Sequence, residues 1–153
     1  MATRLTRYLL FSVLMLGLMG CGRVFTEDEE DIALRTVGLD VSFEIQFGEK
    51  VALEEAGLEV SFPLISEDSR CPTGVNCVTL GEAVIVLHLK DADGTLSALN
   101  LQIPGLVATP YTSNLKVPHK QYDFRLLRLD PYPRAGIASD EEEYRALLIV
   151  QER

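Results

Sequence analysis

From residue 40 onward the apolar residues fall at every second position, and that period restricts the chain to β-sheet. Val41, Phe43, Ile45 and Phe47 alternate with Ser42, Glu44 and Gln46. Leu58, Val60, Phe62 and Leu64 repeat the pattern, with Glu59 and Ser61 facing the other way. A strand sends successive side chains to opposite faces, so such alternation buries one face and wets the other. Residues 51–54, between these runs, read as a short strand of the same meander. Residues 82–90 (EAVIVLHLK) are apolar on both faces, as expected of a central strand covered on two sides. Asp91-Ala92-Asp93-Gly94 follows, and alternation resumes through Leu99, Leu101 and Ile103. Asp-Gly supplies the positive φ angles of a tight turn, so this pair of runs predicts a hairpin.

Residues 121–130 and 144–151 give two further strands across a loop containing Pro and Gly. Glu141-Glu142-Glu143 could open a short helix, but the alternation after Tyr144 favours strand. About seven short strands at regular spacing, without a long helical pattern, predict an all-β chain. The expected architecture is a single β-sandwich, immunoglobulin-like in size, over residues 40–153. That length buries a core of its own. A small β-barrel is the alternative, and periodicity alone does not separate the two.

The N-terminus carries a different signal. Arg4 and Arg7 precede an apolar stretch at residues 8–20, YLLFSVLMLGLMG. It is too short to cross a hydrocarbon core, which takes about 20 helical residues, and fits the apolar region of a secretory signal peptide. The stretch ends in Leu18-Met19-Gly20-Cys21, which resembles the lipobox of bacterial lipoproteins. In that family the peptide is cut before the cysteine, whose thiol carries a diacylglycerol. The resemblance implies a signal peptide at residues 1–20, lipidation at Cys21 and an additional fatty acyl chain such as palmitate. It also implies export and a lipid anchor on a cell membrane. Gly22 follows the cysteine, where enteric lipoproteins retained in the inner membrane carry Asp. The outer membrane, facing the periplasm, is therefore expected in a Gram-negative source.

Cysteine arithmetic agrees. The chain has three cysteines, an odd number that needs an explanation in an exported protein. Lipidation of Cys21 leaves Cys71 and Cys77, and an oxidising compartment lets that pair close. Charge narrows the partners. The chain carries 14 Lys and Arg against 23 Asp and Glu, a formal net charge of −9; removing residues 1–20 takes away Arg4 and Arg7 and no acid, leaving −11. Nucleic acid rewards clustered Lys and Arg, and electrostatic membrane contact needs polybasic segments; neither is present. Residues 21–39 contain the run Glu27-Asp28-Glu29-Glu30-Asp31 and read as an acidic tether between lipid and domain.

One motif stands out. Residues 68–83 read DSRCPTGVNCVTLGEA. Cys71 and Cys77 enclose Pro72 and Gly74 in a short loop suited to a disulfide. The stretch resembles a DSRCPxxVxCxxxGxA motif of a widespread, uncharacterised group of bacterial secreted proteins and lipoproteins. The resemblance extends to LRLDPYP at residues 127–133 and to Tyr144-x-Ala146. It implies a small β domain with a disulfide, and no particular reaction. Many relatives have Trp near the position of Thr79, which argues here against any role needing an exposed aromatic there. Two readings of Asp68, Arg70 and Pro72 stand side by side: loop-structuring, with Asp68 and Arg70 pairing at a tight corner, or binding, with Arg70 presented on a rigid loop.

Signals for catalysis are sparse. His88 lies within a strand and His119 in a loop after Pro118; with the cysteines paired, too few ligands remain for zinc. Ser69 and Ser113 lack a nucleophile elbow, and no phosphate-cradling glycine loop precedes a helix. Asp91-x-Asp93-Gly94 is similar to the start of a calcium loop, but its twelfth position is Gln102, which cannot supply the bidentate carboxylate. Residues 130–136 (DPYPRAG) and the region around Tyr111 suit either packing or partner contact. The sequence thus predicts no enzyme, no cofactor and no metal, but a membrane-anchored lipoprotein whose domain binds a protein or envelope component or serves a structural role. The alternatives are a small ligand carrier or enzyme with a site assembled in three dimensions, or inhibition of an exported protease by the Cys71–Cys77 loop.

Overall fold

A computed structural model describes residues 34–105 and 115–153. Residues 1–20, read from sequence as a signal peptide, Cys21, the acidic run, Tyr111 and Ser113 fall outside these residues. The described strands are β1 (Arg35–Thr36), β2 (Phe43–Gln46), β3 (Lys50–Leu53), β4 (Leu58–Asp68), β5 (Glu82–Asp91), β6 (Leu96–Pro104), β7 (Val117–His119), β8 (Tyr122–Asp130) and β9 (Arg145–Glu152). They form a five-stranded sheet in the order β1-β3-β4-β5-β6 and a four-stranded sheet in the order β2-β9-β8-β7. The fold is an all-β sandwich and not a closed barrel. The inner faces share one core: Val60, Phe62, Ile85, Leu87 and Leu101 come from the larger sheet, Ile45, Phe124, Leu126 and Leu148 from the smaller. Every second residue of β8 and β9 enters that core along most of their length, which is the alternation of the sequence made physical.

Four expectations are corrected. The tether does not extend to residue 39. Arg35 and Thr36 pair in parallel with Val51 and Ala52, and Val37 is buried in the core. A two-residue strand is too short to show a period, so RTVGL reads as linker. Leu64 does not continue the buried face of Val60 and Phe62. The β4–β5 register passes from Ser61↔His88 to Leu64↔Val86, so Phe62 and Pro63 together face Leu87. This bulge, at a proline with no N–H to give, reverses the parity of the strand and leaves Leu64 exposed.

Strand β5 is not covered on both faces: Val84 and Val86 are half-exposed and His88 is exposed on the outer side. Finally, His119 is strand, not loop. It ends β7, an edge strand interrupted by Pro118, with its ring edge-on to Phe124.

The Asp91–Gly94 segment is the expected hairpin turn. The Gly94 N–H donates to the Asp91 carbonyl at 2.8 Å, and the Asp91 N–H to the Thr95 carbonyl at 2.9 Å. The Thr95 N–H donates to Asp93 Oδ1, and this bond holds the Asp93 carboxyl below the ordinary aspartate range. The buried Asp91 carboxylate accepts Lys120 Nζ at 2.7 Å. A lysine therefore occupies the oxygen that a calcium reading would have assigned to a cation. That turn lies at one end of the sandwich; the β4–β5 and β8–β9 connections meet at the other.

Candidate functional site

Where β4 leaves its sheet, the chain turns through Asp68, Ser69 and Arg70. The Ser69 N–H donates to the Glu82 carbonyl at 2.8 Å, and Ser69 Oγ accepts the Glu82 N–H at 3.2 Å. The Cys71 N–H then donates to the Leu80 carbonyl at 2.8 Å, closing the neck of the loop. Beneath this neck the Arg70 side chain turns inward and is only 3% exposed.

Its guanidinium is held on several sides. Nε donates to Asp68 Oδ1 at 2.7 Å and Nη2 to Asp68 Oδ2 at 2.6 Å, a two-pronged pair that matches the planar fork of arginine to a carboxylate. Nη1 donates to the Leu129 carbonyl at 2.7 Å and Nη2 to the Pro131 carbonyl at 3.0 Å. The cation lies 4.8 Å from the centroid of the Tyr132 ring, close enough for the ring's negative face to attract it. Tyr144 completes the group by donating its hydroxyl to Asp68 Oδ2 at 3.0 Å. The three stretches DSRC, LRLDPYP and Tyr144-x-Ala146, far apart in sequence, thus meet in one buried polar cluster. Its geometry is that of a brace. Arg70 ties the end of β4 to Leu129 at the end of β8 and to Pro131 just beyond it, across the two sheets.

The phenol of Tyr144 ionises above the ordinary tyrosine range, because burial and the neighbouring Asp68 carboxylate both disfavour a phenolate. A group whose neutral form is favoured by the fold stabilises it below the unfolded pKa, about 10 for tyrosine. That stabilisation is lost as pH rises through the higher folded value. Stability should therefore fall more steeply above pH ~10 in the wild type than in Tyr144→Phe. Urea titrations at several alkaline pH values read the slope; identical slopes would remove Tyr144 from the cluster's energetics.

Beyond the brace, Cys71 and Cys77 are disulfide-bonded, with Cα atoms 5.9 Å apart. Pro72 follows at the base of the loop, half-buried. Thr73 is clamped from the far side: its N–H donates to the Pro133 carbonyl at 2.9 Å, and its carbonyl accepts the Ala135 N–H at 3.2 Å. The disulfide loop and the 130–137 loop therefore form one platform. Replacing both cysteines by alanine should cost about 2 kcal/mol on the chain-entropy argument for so short a ring. Melting with and without reductant checks this, since the reductant should shift the wild type and leave the variant unmoved.

The top of the platform is apolar. Residues 71–81 contain no charged side chain, and Val78 is fully exposed, with Val75 and Leu80 about half so. Beside it lies a half-open cleft of about 690 Å³. Thr73, Tyr132, Arg134, Ile137, Ser139 and Glu143 are among the residues that line it. Glu143 ends a single 3₁₀ turn, Glu141–Glu143, with no buried residue. Of the residues singled out from sequence, Asp68 and Arg70 lie under the platform and Pro72 at its base; Arg70 is not presented to solvent. Tyr144 carried no chemical motif of its own beyond the Tyr144-x-Ala146 resemblance. Of the cleft residues, the sequence had marked residues 130–136, DPYPRAG, for packing or partner contact, but not Ile137, Ser139 or Glu143.

Among the described residues no group of three or more His, Cys, Asp or Glu is placed to hold a metal ion. No described helix is long and apolar enough to cross a membrane. No protein-family model matches the chain, and neither a curated protein nor a solved structure matches it.

Proposed function

We propose that this chain is an exported lipoprotein, anchored through Cys21, whose β-sandwich is a non-catalytic binding domain of the cell envelope. The sandwich end carrying the disulfide loop is its working face. The observation that carries this reading is the pairing of opposites at that end: a buried Asp68–Arg70 brace supports a loop whose Val78 side chain is fully exposed. A fully exposed aliphatic on a doubly clamped loop gives the folded domain little, whereas apolar side chains on a rigid scaffold are well placed to fill a partner's pocket. The anchor rests on the N-terminal residues: two arginines, an apolar stretch too short to span, and the LMGC sequence.

Intact mass of the membrane-extracted protein tests the anchor. Residues 21–153 plus acyl chains is the expected mass, with Cys71 and Cys77 alkylated only after reduction; an unlipidated chain refutes the anchor. A photo-crosslinking residue at Val78 tests the working face in native envelopes. It should give a discrete adduct that the same residue at Leu96, exposed at the opposite end, does not give. Equal yields at both positions would remove the special role of the loop.

A further inference from the structure

We infer that the partner of this face is a basic, amphipathic protein segment, which sets apolar side chains on the disulfide loop and Lys or Arg against the 141–143 turn. The inference rests on the reading of this end as the docking face, and adds the chemistry of what docks. Three adjoining features carry it. The first is the uncharged tip with exposed Val75, Val78 and Leu80. The second is the cleft of about 690 Å³ beside it, lined in part by Tyr132 and Ile137. The third is the acidic run, where Glu143 lines the cleft and Asp140, Glu141 and Glu142 adjoin it in the chain, all exposed.

Charge sets the partner's sign. Five acids at the domain's surface answer a base, Glu49 with Arg35, Glu59 with Lys50 and Lys90, Glu44 and Asp130 with Arg128, and Asp123 with Arg153, whereas residues 140–143 are four exposed acids in a row. No ion pair is formed by Asp140, Glu141, Glu142 or Glu143 with any described residue. Unpaired acids beside an apolar surface favour a partner that brings its own cations, both by steering its approach and by penalising acidic competitors. The same acids oppose docking of this face on an anionic bilayer. They also oppose a second copy of this acidic chain in the same place. Arg134 is the single cation among the residues lining the cleft, which four acids at 140–143 outnumber.

The test uses the absence of tryptophan from the chain. Val78→Trp and Leu96→Trp are single reporters at opposite ends, both at exposed positions. The lipidated protein, in phosphatidylcholine nanodiscs at about 0.15 M salt to screen distant charges, is titrated with a short alternating Leu/Lys peptide and with its Leu/Glu counterpart. The Val78→Trp emission should shift to the blue and saturate with the Leu/Lys peptide alone, while Leu96→Trp stays silent. Adding Glu141→Lys, Glu142→Lys and Glu143→Lys to Val78→Trp should weaken that response by roughly tenfold or more. Equal response to both peptides overturns the inference, as does equal response at both reporters or an unchanged affinity in the triple-lysine variant. A Val78→Trp emission already blue before peptide is added would make the bilayer or a second copy the occupant. If the chain proves unlipidated, the anchor reading fails separately and the titration is run without discs.

Discussion

Arg70→Met is expected to lose about 3–5 kcal/mol of folding stability, the range seen when one member of a buried ion pair is removed. The loss does not come from the ion pair's own attraction, much of which is offset by the cost of dehydrating two charges. It comes from what stays behind: the Asp68 carboxylate, with a side chain only 9% exposed, left with the Tyr144 hydroxyl and the residue-70 N–H but no cation, and the Leu129 and Pro131 carbonyls without the guanidinium. Domains of this size have about 5–15 kcal/mol in total, so the melting temperature should fall by roughly 10–20 °C. Arg70→Lys keeps the charge but has no planar fork to satisfy a carboxylate and two carbonyls together, and should fall between. The double variant Asp68→Leu/Arg70→Met removes both charges. It should lose less than the two single changes summed, by about 1–3 kcal/mol. Urea unfolding of the wild type, Asp68→Leu, Arg70→Met, Arg70→Lys and the double variant reads all of this. Strict additivity, or an Arg70→Met loss within ~0.5 kcal/mol as for an unremarkable surface change, would mean that the cluster is not a brace.

The parts of the fold that could be read from sequence are those where burial of one face imposes a period. In Phe43–Gln46, Leu58–Phe62, Tyr122–Leu126 and Arg145–Val150 every second side chain is buried as the spacing requires. Where the period fails, the cause is local and visible only in the pairing. Pro63 inserts a bulge and turns Leu64 outward, and β1 and β7 are too short for a period to exist. The brace is a different case. Asp68, Arg70 and Tyr144 were all conspicuous in the sequence, but whether Arg70 faces solvent or core depends on Leu129 and Pro131, some sixty positions away. No local pattern encodes a side chain's choice between a partner and the backbone of a distant strand. The exposure of Val78 is equally nonlocal, since an apolar residue after Cys77 reads as core until the packing fails to cover it.

Gly81→Ala should be nearly as damaging as the loss of Arg70, for a reason located entirely in the backbone. Gly81 has φ +65°, and a Cβ built there would sit 1.8 Å from the Ser69 carbonyl oxygen and 2.6 Å from its carbon. The approach is this close because hydrogen bonds on both sides cinch the neck: Ser69 with Glu82, and Cys71 with Leu80. The obstructing atoms are main chain and cannot swing aside as a flexible side chain would. Relief requires Ser69 to move, and Arg70 is bonded to it, so the clash is passed directly to the brace. Adopting a left-handed conformation alone costs an L-residue about 1–2 kcal/mol; with the clash added, a total of about 3–5 kcal/mol is expected. Gly74 in the same loop is the matched control. Its φ is +92°, but nothing lies within 4 Å of its would-be Cβ, so Gly74→Ala should show only the conformational cost of about 1–2 kcal/mol. Unfolding of both variants, with amide exchange at Cys71, separates the two contributions. A Gly81→Ala loss larger than that of Gly74→Ala, with faster Cys71 exchange, locates the rigidity of the apolar platform in its neck. Equal losses would mean that the neck relaxes freely, and that the disulfide and the Thr73 clamp suffice to hold Val78 in place.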